Sequence, residues 1–482
     1  MENEAALHMA SMLEGLWADE ALPALCDYIR IPNVSPQYCP TWATDGHMDE
    51  AAALLEHWAT GRPIDGLEMR TVRLPGRTPV LLIEIPATGP LGPDGESALV
   101  YGHFDKQPGL DGWSDGLGPF TPVVDGERLY GRGSADDGYA LFSALCAVQA
   151  LRDAGVAHHR VVVLVEGSEE SGSVDLPAYL DHLAPVIGTP SMVVGLDSEA
   201  PTYDRLWATT SLRGLVSATL RVTVLTHGVH SGLAGGVVPS SFRIARQLLD
   251  RVEDAATGAI RLPELQVEVP AHRRAHLHAL ASVVDVGPYP VVPGLVVRGG
   301  DAEARLAAVQ WGPALEVTGA DGFPPLSQAG NVLRPSTALR LSLRLPPPVE
   351  AAEAADALRR VLEADPPDGA EVTVEIDAAE NGWDAPEEPP WLADALDAAS
   401  RAAFGMSAAR VGVGGTIPFI AMLGRRFPSA GIVVTGALGA DSNAHGPDEY
   451  LHLPTARRVT AALALLLAAH AEQSERRVSP VA

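Results

Sequence analysis

Short runs of apolar residues recur along the chain, and each is followed by polar or acidic residues. The runs occupy residues 98–102, 161–165, 192–196 and 432–435. A continuous apolar run indicates a strand buried on both faces, as in a parallel sheet. Apolar residues spaced three and four apart predict helices before residue 30, at 48–58 and at 137–154. Strands therefore alternate with helices, which predicts an α/β domain with a doubly wound, mostly parallel sheet.

The pattern changes after residue 213. Alternating polar and apolar positions predict strands, and helical spacing predicts two helices, in the order β-α-β-β-α-β: 216–225, 239–252, 314–318, 337–345, 350–362 and 372–376. This order is the split βαβ signature of a ferredoxin-like domain. Residues 257–312, rich in His, Pro and Ala, are interpreted as an elaboration of it. Helix-strand-helix patterning resumes after residue 389. We therefore expect a first domain in two parts, 1–211 and 389–482, interrupted by an inserted domain at 212–388.

Imidazole and carboxylate side chains cluster in the segments that follow the predicted strands. The candidates are His103, Asp105, Asp136, Glu169, Glu170, Asp197 and His445. The carboxyl ends of parallel strands meet at one edge of a sheet, so several of these side chains are delivered to the same place. Nitrogen and oxygen ligands without thiolates suit zinc, cobalt or manganese. The pattern is typical of a two-metal hydrolase.

Composition narrows the class of protein. The formal net charge of −27 disfavours nucleic acid and anionic membranes as partners. The three cysteines are scattered and match no disulfide framework, and the amino terminus lacks a secretory pattern. No apolar stretch approaches the roughly 20 residues of a membrane span. A cytoplasmic location is the expectation.

Two other enzyme mechanisms are disfavoured. The chain contains one lysine, Lys106, and no phosphate-binding loop ending in Gly-Lys. It also contains no Gly-x-Ser-x-Gly sequence, which argues against a serine hydrolase, and the settings of its cysteines do not suggest a nucleophile.

An ordered series of motifs spans nearly the whole chain. It comprises His103-Phe104-Asp105, Gly131-Arg132-Gly133-Ser134-Ala135-Asp136-Asp137, Glu166-Gly167-Ser168-Glu169-Glu170-Ser171-Gly172-Ser173, Ser211-Leu212-Arg213-Gly214, His230-Ser231-Gly232, Asn331 with Arg344, Gly414-Gly415-Thr416-Ile417-Pro418, and His445. This series resembles that of the carnosinase-type dipeptidases. They belong to the co-catalytic di-metal (zinc) metallopeptidase family that also holds aminoacylases, acetylornithine deacetylases, succinyl-diaminopimelate desuccinylases and glutamate carboxypeptidases.

The resemblance implies a phosphorylase/hydrolase-like catalytic domain that holds two divalent cations per subunit, with zinc expected and manganese or cobalt as alternatives. One cation would be bound by His103 and Asp197 and the other by Glu170 and His445, with Asp136 bridging them. Glu169 would be the general base on the water that the metals activate, and Asp105 would orient His103.

The resemblance also implies a substrate site and an assembly. Arg344 would pair with the substrate carboxylate, with Thr416 beside it. His230 would reach a partner's active site, and Asn331 would lie near the scissile group. The inserted domain would serve as lid and dimerisation domain of a homodimer. The expected function is hydrolysis of the amide bond of dipeptides or similar small peptides with a free C-terminal carboxylate. Deacylation of N-acyl amino acids is the alternative.

One motif departs from the family pattern. Many carnosinase-type members continue the aspartate pair as Asp-Asp-Lys-Gly, whereas this chain has Asp136-Asp137-Gly138-Tyr139. Each candidate taken alone also has an ordinary structural explanation, such as a helix cap or a solvated loop charge. A non-catalytic scaffold could readily have lost Glu169, yet Glu169 is present.

Overall fold

The computed structural model describes residues 3–478 except 90, 92–94, 287, 288, 290 and 440. The chain divides into two compact units. The first comprises Met1–Thr209, Ala385–Arg410 and Pro418–Ala482, and the second comprises Thr210–Asp384 and Val411–Ile417. The second unit thus takes in a short segment that the sequence pattern assigns to 389–482.

The strands of the described residues are, in chain order, β1 (Glu68–Val72), β2 (Val80–Ile85), β3 (Ser97–His103), β4 (Val123–Asp125), β5 (Arg128–Tyr130), β6 (Arg160–Glu166), β7 (Met192–Gly195), β8 (Glu199–Ala200), β9 (Trp207–Leu212), β10 (Gly214–Thr223), β11 (Val229–His230), β12 (Ala314–Asp321), β13 (Val332–Leu333), β14 (Ser336–Leu345), β15 (Glu371–Glu380), β16 (Trp383–Asp384), β17 (Ala409–Val413), β18 (Gly431–Val434), β19 (Leu438–Gly439) and β20 (Tyr450–His452).

The α-helices are α1 (Asn3–Leu16), α2 (Leu22–Ile29), α3 (Trp42–Asp45), α4 (His47–Thr60), α5 (Ala140–Asp153), α6 (Leu176–His182), α7 (Ala184–Ile187), α8 (Ser231–Ala234), α9 (Ser241–Val252), α10 (Ala271–Ala281), α11 (Ala302–Gln310), α12 (Ala351–Glu363), α13 (Pro390–Phe404), α14 (Pro418–Arg426) and α15 (Leu453–Val478). A π-helical segment, Trp17–Ala21, links α1 to α2. In the part of the chain that the structure describes, no helix is long and apolar enough to cross a membrane.

The first unit is built on a six-stranded sheet in the order β1-β2-β6-β3-β7-β18. Strands β6, β3, β7 and β18 run parallel to one another. At one edge β2 runs antiparallel to β6, and β1 runs antiparallel to β2 and so in the direction of the parallel strands. Every residue of β3 is buried, which explains its continuous apolar sequence. The predicted mostly parallel sheet is confirmed, and the carboxyl ends of its parallel strands lie along one edge.

Helix α5 lies in the core of the first unit and is buried along nearly its whole length. It begins at Ala140, three residues later than the sequence pattern predicts, because residues 131–139 form consecutive turns. These turns carry Asp136. The residue therefore lies on a tight connection rather than at the helix start itself.

The second unit contains the four-stranded antiparallel sheet β12-β14-β10-β15. Apolar side chains of this sheet, α9 and α12 pack together in one hydrophobic core. The chain order β10-α9-β12-β14-α12-β15 with this strand order is the predicted split βαβ arrangement. Within residues 257–312, α10 and α11 form the elaboration.

Lys106 fills a structural role in the first unit. Its side chain is fully buried, and Nζ donates to the main-chain oxygens of Tyr28 at 2.8 Å and Ile31 at 2.7 Å. These carbonyls lie at the end of α2, where helical partners run out. Burial lowers the pKa of Lys106 well below its usual range. The one lysine of the chain thus holds a helix end and is closed off from a substrate.

Candidate metal centre

The first group of potential ligands forms where β3 and β7 end. His103 is the last residue of β3, and Asp197 follows β7 by two positions. The Nε2 atom of His103 lies 3.1 Å from Oδ1 of Asp136 and 3.8 Å from Oδ2 of Asp197. All three residues are buried, and their ligand atoms lie within 4.8 Å of one another. This spacing lets one cation contact all three.

The second group shares Asp136 with the first. The Nε2 atom of His445 lies 2.9 Å from Oδ2 of Asp136 and 3.3 Å from Oε2 of Glu170. Their ligand atoms also lie within 4.8 Å of one another. Asp136 therefore turns one carboxylate oxygen toward each imidazole, as a carboxylate shared by two cations would.

Asp105 organises both the imidazole and the acidic turn after β6. Its two carboxylate oxygens accept hydrogen bonds from the main-chain N–H groups of Glu169 and Glu170, each at 3.0 Å. The Nδ1 atom of His103 lies 3.1 Å from the main-chain oxygen of Asp105 and 3.4 Å from its carboxylate. These contacts orient the Nε2 atom of His103 toward the acidic cluster.

The electrostatics of the cluster favour bound cations. Burial, and after it the negative charge of Asp136, raise the pKa of Asp197 to about 7. Burial likewise raises the pKa values of Glu169 and Glu170 well above their usual range. Burial opposes ionisation of Asp136 too, but hydrogen bonds from His103 and His445 lower its pKa. Two imidazoles are too few to neutralise these carboxylates, and divalent cations would supply the missing positive charge. The donor set fits a metal pair.

A buried ion pair holds the loop that carries His445. Arg132 and Glu449 are both buried and pair through Nη1 and Oε2. Arg132 Nη2 also donates to the main-chain oxygen of Gly446 at 2.9 Å, and Glu449 Oε1 accepts from the N–H of Gly133 at 2.9 Å. His445 itself has φ 65°, in the left-handed region that non-glycine residues rarely adopt. The pair therefore connects the segment before Asp136 to the loop of His445.

Sequence reasoning missed three contributors to this site: Arg132, Glu449 and Gln107. Gln107 Nε2 donates to Oε2 of Glu170 at 2.6 Å. The sequence positions of Gln107 and Arg132 could have suggested their roles, because Gln107 follows His103 by four residues and Arg132 lies within the motif at 131–137. The position of Glu449 could not, because its role depends on a contact with Arg132, 317 residues away.

The lysine missing after the aspartate pair has a steric explanation. A Cβ atom at Gly138 would lie 2.3 Å from the main-chain oxygen of Gly133 and 2.4 Å from the Tyr28 ring. This backbone therefore has no room for a side chain at position 138. The neighbouring Asp137, joined to Asp136 by a cis peptide bond, accepts a hydrogen bond from the N–H of His103 at 3.3 Å.

The expected carboxylate-binding residues lie in the second unit. Arg344, on β14, donates through Nη1 to Oγ1 of Thr416 at 3.2 Å, and that hydroxyl donates to the main-chain oxygen of Arg213 at 2.7 Å. Burial lowers the pKa of the Arg344 guanidinium, and the charge of Glu380 opposes this shift. The contact brings Arg344 and Thr416 together beside Arg213.

His230 and Asn331 form a second pair in the same unit. Strands β11 and β13 are antiparallel, with His230 opposite Val332. The main-chain oxygen of Asn331 accepts from the N–H of Ser231 at 2.9 Å. His230 is exposed, and its Nδ1 accepts from the N–H of Gly232 at 3.1 Å. The two residues therefore lie on adjoining segments.

Comparison with known proteins matches residues 99–469 to the model of the peptidase family M20/M25/M40. Cysteinylglycine-S-conjugate dipeptidase of Corynebacterium striatum is 27% identical over 433 residues, covering 87% of this chain and 89% of that protein. Among solved structures, the dipeptidase Dug1p of Saccharomyces cerevisiae gives a TM-score of 0.76 at 20% identity, covering 99% of this chain and 100% of that one. Human carnosine dipeptidase 1 gives 0.74 at 21% identity, covering 96% and 99%.

Replacing Glu449 tests whether the buried pair supports the site. Glu449→Met leaves the Arg132 charge buried without its carboxylate and should lower the free energy of unfolding by about 3–5 kcal/mol. It should also weaken Zn²⁺ binding, because the loop of His445 loses an anchor. Urea denaturation and a Zn²⁺ titration measure the two effects. Glu127→Met is the control, since the Glu127 side chain is 73% exposed. Equal unfolding midpoints and zinc affinities in the two variants would rule out the anchoring role.

Proposed function

The chain belongs to the peptidase family M20/M25/M40, and on that premise we propose that it is a metal-dependent dipeptidase. Its substrate is a dipeptide or similar small peptide with a free C-terminal carboxylate. The proposal depends on the position of Asp136, which lies between two sets of potential ligands. Each set contains one imidazole and one further carboxylate. The relative from Corynebacterium striatum, which aligns over most of both chains and is called a dipeptidase, supports the substrate class.

The residues that would hold the cations follow from the two groups around Asp136. His103 and Asp197 would bind one cation, Glu170 and His445 the other, and Asp136 both. Zinc is the proposed metal because the donors are imidazole nitrogens and carboxylate oxygens; manganese and cobalt accept the same donors. Bound cations would polarise the scissile carbonyl and lower the pKa of the attacking water.

Glu169 is the proposed general base. Its backbone is fixed by the hydrogen bond from its N–H to Asp105, and the residue as a whole is half-buried. Burial raises the pKa of its carboxylate well above the usual range, and a more basic carboxylate is a better proton acceptor. Glu169 would accept a proton from the attacking water and deliver it to the nitrogen of the leaving amine. Asp105 acts as a positioning residue for His103 and for this turn.

Arg344 is the proposed partner of the substrate carboxylate. A guanidinium presents two parallel N–H groups that match the two oxygens of a carboxylate, and the hydroxyl of Thr416 lies against it. Partial burial of Arg344 strengthens such a contact, because water competes less. Asn331 is proposed to contact the substrate near the scissile bond.

The second unit is proposed to be the lid and dimerisation domain of a homodimer. Leu233, Val237 and Leu326 in this unit are 86%, 85% and 96% exposed, which is unusual for large apolar side chains. They lie in the chain near His230 and Asn331. A partner subunit covering them would support the proposed role of His230, which is to stabilise the oxyanion in the partner's active site.

We also propose a cytoplasmic location. Cys26, Cys39 and Cys146 are all free thiols, which suits a reducing compartment.

Glu169→Gln tests the assignment of the base. The amide cannot take up the proton, so kcat on a Cys-Gly dipeptide should fall by at least ~10²-fold, while the bound metal per chain stays unchanged. Steady-state kinetics and elemental analysis on the same preparation give both values. Glu68→Gln, an exposed change on β1, should leave both unchanged. Turnover of Glu169→Gln within a few-fold of the wild type would reject the role.

Arg344→Met tests the carboxylate contact and the substrate class together. Loss of a charge-assisted contact should reduce kcat/KM for a dipeptide by about 10- to 100-fold, with little change for the same dipeptide as a C-terminal amide. Arg340→Met is the matched control, because Arg340 lies on the same strand and pairs with Asp377 at 2.7 Å. A proportional loss on both substrates would contradict the contact. Faster cleavage of N-acetyl or N-succinyl amino acids than of dipeptides by the wild type would favour the deacylase instead.

A further inference from the structure

A separate set of metal-ligating side chains lies at the opposite ends of the parallel strands in the first unit. Glu96 immediately precedes β3, His159 precedes β6 and Ser191 precedes β7. Strand β3 is paired in parallel with both of the others. These residues therefore share the amino edge of three adjacent strands. Since β3 ends at His103, this edge lies roughly 20 Å from the catalytic one.

His470 on α15 completes the set. Its Nε2 atom lies 2.7 Å from Oγ of Ser191 and 3.3 Å from Oε2 of Glu96. Potential ligand atoms of Glu96, His159 and His470 lie within 4.8 Å of one another. Both histidines are buried. Three segments that are far apart in sequence thus direct nitrogen and oxygen donors to one point.

Aromatic packing fixes the two imidazoles. The rings of His159 and His470 meet edge to face with centroids 4.7 Å apart. Trp391 stacks on His470, with ring centroids 5.9 Å apart and an interplanar angle of 22°. Rings held in this way lose little freedom when they bind a ligand, which favours a preformed site.

We propose that Glu96, His159 and His470 bind a third divalent cation, of the zinc class, with a structural role. Two imidazoles and one carboxylate are a zinc ligand set, and a water would take the fourth position. Tetrahedral zinc bonds of about 2.0–2.1 Å place ligand atoms about 3.4 Å apart. The 3.3 Å between His470 Nε2 and Glu96 Oε2 meets that requirement.

The location argues for stabilisation rather than catalysis. Substrates of open α/β sheets bind beyond the carboxyl ends of the strands, and this set lies at the amino ends. A cation here would join α15 to the starts of β3 and β6. The same atoms could instead form a hydrogen-bonded network without a metal, and the two arrangements differ in the number of cations bound.

The experiment counts cations in the full-length protein after loading with ZnCl₂ and desalting. His470→Gln and Glu96→Gln should each bind one zinc fewer per chain than the wild type by elemental analysis, with dipeptide turnover within about twofold of the wild type. The side chain of Glu96 is partly exposed, so Glu96→Gln should fold. Its zinc count therefore tests the proposal even if His470→Gln does not fold. Circular dichroism monitors folding.

The control is His278→Gln, which removes an exposed histidine whose Nδ1 lies 2.8 Å from Oε2 of Glu303. It should leave the zinc count at the wild-type value. A count that is also unchanged in folded Glu96→Gln overturns the proposal and leaves the hydrogen-bonded network as the explanation. The zinc count of each variant is compared with that of the wild type. An unchanged count in Glu96→Gln would therefore leave the two cations proposed around Asp136 unaffected.

Discussion

The polar centre of the first unit depends on one buried carboxylate, that of Asp136, which faces two imidazoles. Asp136 lies 3.1 Å from His103 and 2.9 Å from His445, through different oxygens. Several further carboxylates are buried around it, and their mutual repulsion would be costly without bound positive charge. The surrounding hydrogen bonds orient these groups instead of neutralising them. A pair of bound cations would therefore balance the negative charge of these buried acids.

Much of the fold could be predicted because burial leaves a simple trace in the sequence. Strand β3 is buried on both faces, so its apolar run is uninterrupted, and the same holds for most of β6 and β7. The rule that parallel strands deliver residues to one edge then placed His103 and Asp197 together. The βαββαβ order of the second unit followed from the change to alternating positions, since one face of its sheet is exposed.

What could not be predicted depends on tertiary contacts or on backbone geometry. The Arg132–Glu449 pair connects residues that no periodicity relates. The use of Asp105 as acceptor for two main-chain N–H groups requires the turn after β6 to be in place. The start of α5 was predicted three residues too early because the turns that precede Ala140 are set by backbone geometry. Glycine replaces the family's lysine at position 138, and this replacement removes no predicted ligand. The reason for it could not be read from the sequence, because it depends on the position of the Tyr28 ring.

We infer that the carboxylate of Asp136 is shared by two metal ions. Anomalous scattering at the zinc absorption edge, from crystals of the zinc-loaded protein, tests it most directly. We expect two peaks around this carboxylate, one beside His103 and Asp197 and the other beside Glu170 and His445. A single peak there, or two peaks of which only one contacts Asp136, would contradict it.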